Sequence, residues 1–333
     1  MTAAMVCLGD HLGLYRALAD GRARSPAELA AETGLAERWV REWMYQQGAA
    51  GLLEHRGEDR FALAPEGAAV LADEDHPAFG AGFFAQLPAL LRVLERLPEA
   101  FRTGRGLPYD ALGPEGAAGI ERGLAPWFRN LLVPVVLPLL PGIPEALARG
   151  IRVADVGCGA GAVLATLAQA FPRSDFHGYE ISRHALERAE ARRAELGLRN
   201  LHFHHAEEDP LPEDGRFAFL LTIDCLHDMA HPDRMIRSLR RAISDDGTWL
   251  VADIKAHPDY ETNLEKNPMA AMMYGTSVLA CLSSALSEPG GMGLGTLGLH
   301  PALLEKLCVD AGFRRVERLE VPHPVNAFYR VLP

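Results

Sequence analysis

The chain lacks any run of about 18 apolar residues free of Arg, Asp or Pro, the length a membrane-crossing helix requires, and it opens with no charged-then-apolar leader. No membrane partner is therefore expected, and a cytoplasmic location is. Paired cysteines are also missing. Cys7, Cys158, Cys225, Cys281 and Cys308 are odd in number, far apart and without the CxxC spacing of zinc or redox sites, so five free thiols are expected. Positive charge is short as well, with 33 Lys and Arg against 44 Asp and Glu for a formal net charge of -11. Non-specific affinity for nucleic acid comes mostly from basic side chains displacing counterions. No nucleic-acid partner is expected, and a small-molecule substrate is.

What is present is the composition of a globular protein, 48% hydrophobic and 23% charged over 333 residues, long enough for two cores. Three segments are expected: a winged-helix domain of the dimerisation type over 1–75, a helical bridge contributing to a substrate pocket over 76–149, and a ligand-binding α/β domain over 150–333. GDHLGLYRALA, near residues 9 to 19, repeats apolar positions at helical spacing. Ser25, Pro26 and Glu28 supply the cap, first-turn proline and N3 acid of a capping box, opening a helix that stops at Gly34. Glu37 to Gln47 make another helix, and LLEHRGEDRFAL reads as two short strands joined at Gly57. Helices followed by a hairpin form a winged-helix pattern, a shape that also binds DNA. Its reading helix, however, carries Glu37, Arg38, Arg41 and Glu42, whose charges cancel, and the first 150 residues hold 14 Arg against 19 acids. A dimerisation and pocket-closing module is the preferred reading.

From Ile151 the pattern changes to strand, loop and helix in repetition, which signals a doubly wound, mostly parallel sheet of seven strands with helices on both faces. IRVADVG is a buried strand running into GCGAG and then the apolar helix AVLATLAQAF. Gly157 allows the tight turn, Gly159 lets a ligand approach the backbone, and Gly161 lets the following helix pack against the strand. The next strand, FHGYE, ends in Glu180, placed to accept both hydrogen bonds of a ribose diol. The third, LHFHHA, leads to Glu207, which could accept from an adenine amino group. Gly157, Gly159 and Ala162 also satisfy a dinucleotide fingerprint. The carboxyl terminus decides between the two readings. RRVERLEV and AFYRVL are separated by only PHPVN, too short for a parallel crossover, and must pair antiparallel.

VADVGCGAG, Glu180, Glu207 and the later stretch DCLHDMAHPDR closely resemble class I S-adenosylmethionine-dependent methyltransferases. MVCLGDHLGLYRALA, DIKAHPDYETNLEKNP and GGMGLGT are similar to the bacterial members with an N-terminal winged-helix domain, and the resemblance covers nearly the whole chain. It implies that S-adenosylmethionine is the cofactor and that Asp155, Gly157, Cys158, Gly159 and Gly161 cradle its methionine portion. Glu180 with Ile181 would hold the ribose, Ala206 and Glu207 the adenine, and Asp224 and Cys225 the wall beneath the sulfonium. In the small-molecule O-methyltransferases of this kind a His-Asp pair after the fourth strand supplies the base. Here FAFLLTI is followed by His227 and Asp228, the candidate catalytic residues. Neutral imidazole suits proton removal from a phenol or alcohol near pH 7. A homodimer is also implied.

No metal is expected: Asp224, His227, Asp228 and His231 could be read as ligands, but the sequence shows none of the supporting partners such a site needs, and His202, His204 and His205, which no paired ligand motif follows, read as structural. After the fifth strand, WLVADI, a long insertion carries Met273 and Tyr274, which with Trp127 of the bridge are candidates to line an apolar substrate pocket or to pack as core. The expected activity is O-methylation of an apolar or aromatic small molecule. N- or C-methylation, a non-methylating biosynthetic reaction and a ligand-sensing regulator are the alternatives.

Overall fold

The computed structural model describes residues 1–333, and its elements follow the local signals of the chain with few exceptions. The first helix runs Thr2–His11, earlier than expected, and Gly13, at φ 72°, turns the chain before a short second helix, Leu14–Ala17. Ser25 caps the helix Pro26–Thr33 with both halves of the capping box formed, and Gly34 ends it in the left-handed conformation. The helix Glu37–Ala49 buries Val40, Trp43, Met44 and Gln47. They join Leu14, Tyr15, Leu18 and Leu29 in one core. Strands β1 (Glu54–His55) and β2 (Phe61–Ala62) pair antiparallel as the wing.

By packing, the chain divides into two units: Met1–Ala89 with Glu115–Asn130, and Leu90–Pro114 with Leu131–Pro333. The helix Gly113–Trp127 joins the first unit through charge and close approach. Arg122 donates to Asp10 at 2.8 Å and to Glu74 at 2.6 Å, and a Cβ added to Gly82 would lie 2.4 Å from the Gly123 nitrogen.

The second unit is built on seven strands. They are β3 (Arg152–Val156), β4 (Asp175–Glu180), β5 (Leu201–His205), β6 (Phe217–Ile223), β7 (Ile243–Ile254), β8 (Arg315–Leu319) and β9 (Asn326–Leu332). Their order is β5-β4-β3-β6-β7-β9-β8, with β3 to β7 parallel and β9 antiparallel to both β7 and β8. The sheet is therefore doubly wound, mostly parallel and closed by the expected hairpin. β3 and β6 run almost wholly buried, as parallel strands covered on both faces must. Trp249, Phe217, Leu220 and Val251 fill the core, and the Trp249 indole donates to Thr222 at 3.0 Å. Winding begins at β3 and departs in both directions. The strand order reverses between β3 and β6, the crevice where such sheets take their ligands.

At the β4–β5 edge, His177 exchanges a 3.0 Å hydrogen bond with His204 and another of 3.0 Å with Asp175. His204 reaches Asp209 at 2.6 Å, and His202 lies 3.1 Å from Asp175. All five cysteines are unpaired. No single helix is long and apolar enough to cross a membrane.

Candidate active site

The turn after β3 is shaped by three glycines in the left-handed region, with φ of 74° at Gly157, 54° at Gly159 and 70° at Gly161. A Cβ at Gly157 would lie 2.7 Å from that of Cys225, so this turn and the end of β6 touch. At Gly161 it would lie 2.4 Å from the Phe203 ring, so the helix Ala162–Ala170 is seated against β5 rather than against β3 alone. At Gly159 nothing stands within 4 Å. That is the open position a ligand can approach.

Acidic side chains lie at the ends of the strands beside this turn. Asp155 is buried at the end of β3, and its Oδ1 has no hydrogen-bond partner. Burial, with the nearby Glu180 charge, holds its carboxyl well above the usual range. Glu180, the last residue of β4, accepts from the backbone N–H of Gly159 at 2.8 Å, Ile181 at 2.8 Å and Ser182 at 2.9 Å. Burial still raises its pKa, against the pull of those three donors. Burial likewise raises the Cys158 and Cys225 thiols, and Cys225 donates to the Val156 carbonyl at 3.1 Å.

The ends of β6 and β7 supply a second group. Their register pairs Ile223 with Ala252, which sets the next residues, Asp224 and Asp253, side by side. Asp224 turns the chain with φ at 50°, an uncommon value for a residue with a side chain, and accepts from the Asn326 amide on β9. His227 lies in the turn Leu226–Asp228, 4% exposed, with Nδ1 2.6 Å from Oδ1 of Asp253, itself 2% exposed. That oxygen also accepts from the Ile254 N–H at 2.7 Å, and Oδ2 of Asp253 is buried without a partner. Burial, the largest single influence, disfavours the imidazolium, but Asp253 and Cys281 together more than offset it, and the His227 pKa stands well above its usual value. Burial pushes Asp224 and Asp228 up to about 7. The partner of His227 is thus Asp253, which the sequence reading did not select, and no bond to the adjacent Asp228 is formed.

The remaining candidates scatter. Ile181 is half exposed beside Glu180, and Ala206 donates its N–H to the Glu180 carbonyl at 2.9 Å. Glu207 lies exposed in the turn just past β5, which ends at His205. Met273 is buried with Ala256 and Leu297 in a small cluster against which Tyr274 packs, and its sulfur accepts from Asn267 at 2.9 Å. Trp127 belongs to the first unit, where it is buried with its ring 4.3 Å from that of Phe128. Sequence reasoning missed Asp253, whose signal was an acid at the end of an apolar strand, and the turn Tyr109–Leu112. There burial, with the charges of Asp228 and Glu180, raises the phenol of Tyr109.

Residues 147–293 match the family model of a methyltransferase domain, and residues 1–73 match that of the Rv2258c-like winged HTH domain. None of the curated proteins matches the chain. Solved structures share its fold. A candidate O-methyltransferase from Nostoc punctiforme superposes with a TM-score of 0.74 at 17% identity, over 100% of this chain and 95% of its own. Human N-acetylserotonin methyltransferase, solved with S-adenosylmethionine, gives 0.68 at 17% identity, over 100% and 94%. NcsB1, an O-methyltransferase from neocarzinostatin biosynthesis solved with S-adenosylmethionine and 2-hydroxy-5-methyl naphthoic acid, gives 0.63 at 18% identity, over 99% and 95%. The chain is thus built of a winged helix-turn-helix domain followed by a methyltransferase domain of the class I fold.

Proposed function

We propose that this protein transfers a methyl group from S-adenosylmethionine to a hydroxyl of a small, apolar or aromatic metabolite, with His227 as general base. The observation that carries this reading is the buried 2.6 Å pair of His227 and Asp253, beside a glycine turn with open space at Gly159. Three features of the chain suit the cofactor: the orphaned oxygen of Asp155, the space at Gly159, and a set of buried acids, Asp155, Asp224 and Asp228, whose ionised forms a bound sulfonium and ammonium would favour. Asp155 and the turn Gly157 to Gly161 hold the methionine portion. Glu180 and Ile181 hold the ribose, Ala206 and Glu207 the adenine, and Asp224 and Cys225 the wall near the reacting carbon. When bound, S-adenosylmethionine supplies an electrophilic methyl group.

Asp253 accepts from Nδ1 of His227, which fixes the ring and leaves Nε2 as the nitrogen that takes the acceptor's proton. The buried Asp253 charge then stabilises the imidazolium that forms. Excluding water and aligning the nucleophile supply the rest of the rate. Solved structures of the same fold that hold a naphthoic acid or are named for N-acetylserotonin support an aromatic acceptor. The same reading includes a homodimer and a cytoplasmic location. Five unpaired cysteines suit a reducing compartment. Calorimetry with S-adenosylhomocysteine, then mass spectrometry of a hydroxylated aromatic panel, tests the function. Binding together with a product heavier by one methyl group is expected. No heat with that nucleoside, but heat with a nicotinamide coenzyme, would overturn it.

A further inference from the structure

Glu180 does not have enough acceptor capacity for the ligand group assigned to it. An ionised carboxylate offers about four lone-pair sites. Oε1 accepts from the N–H groups of Ile181 and Ser182, and Oε2 accepts from that of Gly159, at 2.8 to 2.9 Å. Three sites are occupied and one is left, whereas a ribose diol donates two hydrogen bonds. The expectation that Glu180 takes both hydroxyls therefore leaves one of them without an acceptor.

Asp110 stands at the next amide of the same turn. Its Oδ2 accepts from the Arg183 N–H at 3.3 Å, one residue beyond the Ser182 N–H held by Glu180. The two carboxylates therefore grip consecutive residues, whose Cα atoms are about 3.8 Å apart. Oδ1 of Asp110 is buried and has no partner. A buried acceptor left unmade is costly, and it marks where a donor belongs. The Asp110 charge also adds to the upward shift of Glu180, which places the two acids within electrostatic reach of each other. The turn that carries Asp110 is pinned from behind. The Leu107 N–H donates to Ser283 Oγ at 2.9 Å, the Gly106 N–H donates to the Leu286 carbonyl at 3.0 Å, and a Cβ on Gly106 would come within 1.9 Å of the Ser283 oxygen. Asp110 is held in place before any ligand arrives.

We propose that Asp110 is a second ribose acceptor, whose Oδ1 takes the hydroxyl that Glu180 cannot, so that the protein selects a ribonucleoside by two carboxylates from two separate segments. This rests on the S-adenosylmethionine reading above. The test is calorimetry of the full chain with S-adenosylhomocysteine and with its 2′-deoxy and 3′-deoxy analogues, for wild type, Asp110→Ala and Asp110→Asn, with thermal melts confirming that each variant is folded. Asp110→Ala is expected to weaken the parent ligand about 10- to 100-fold, the range for a hydrogen bond to a charged acceptor. Asp110→Asn, which keeps a carbonyl acceptor, should recover part of that loss. One deoxy analogue should bind wild type and Asp110→Ala equally. Equal affinity of wild type and Asp110→Ala for the parent ligand, or the same loss with both analogues, would overturn the proposal while leaving the cofactor reading intact. A wild-type protein that does not bind S-adenosylhomocysteine would instead remove the parent reading, and this one with it.

Discussion

Two places in the sheet join imidazole to carboxylate, and they differ in almost everything else. At the β4–β5 edge, His177, His202 and His204 share Asp175 and Asp209 in a half-exposed ladder. At the carboxyl ends of β6 and β7, His227 and Asp253 form one pair, both nearly inaccessible to water. Burial pushes His177 below its usual pKa, since Asp175 only partly offsets the loss of hydration. Asp253 and Cys281 together lift His227 well above its own, against the effect of burial. The imidazole pKa is therefore shifted in opposite directions at the two places. The difference comes from how far the carboxylate shares its charge with water and from which end of the strands carries the pair.

The largest test of this contrast is His227→Ala, expected to lower kcat about 10²- to 10⁴-fold in a methyl-transfer assay while cofactor affinity holds. Unchanged turnover would leave the two histidine sites functionally alike. Next is Asp253→Asn, expected to cost about 10- to 100-fold, as when the partner of a working imidazole is removed. Loss of the Asp253 charge also lowers the His227 pKa, so the rise of kcat/KM with pH should move to lower pH. An unmoved profile would show that Asp253 does not tune the base.

A third test compares pH and stability by denaturant titration. Asp224 and Asp228 are raised from 3.8 to about 7 and His227 is raised above 6.5, so the folded state binds protons the unfolded chain releases. This contribution is fully present below the unfolded values and is lost as pH rises, across 3.8 to 7 for the acids and above 6.5 for His227. His177 has the opposite sign: lowered from 6.5, it weakens the fold as pH falls below that value. His227→Gln should flatten the first slope and His177→Gln the second, and an exchange of those outcomes would break the comparison. The smallest effect belongs to His204→Ala, expected to change stability by about 1 kcal/mol or less and turnover by less than about 2-fold, since half-exposed ion pairs contribute little.

Signals that act over a few residues were legible in the sequence. Ser25 to Glu28 describe a cap within one turn, Gly157 to Gly161 a turn that only glycine tolerates, and PHPVN a connection too short to cross a sheet. FAFLLTI appears as β6 with the expected ends. The first helix was misplaced because apolar spacing does not show that Gly13 would break it. The chemical partners were hidden for a different reason. Asp253 lies 26 residues from His227 and Asp110 lies 73 from Arg183, distances closed only by strand register and by the docking of the 105–112 segment. Met273 satisfies a core and a pocket equally on paper, and its packing with Ala256 and Leu297 comes from the insertion's path, which no periodicity encodes.

The bond from Asn326 to Asp224 spans 102 residues and ties β9 to the turn that leaves β6. Because β9 pairs with β7, that contact closes only once the antiparallel edge of the sheet is in register, so loosening β9 would free the Asp224 carboxylate.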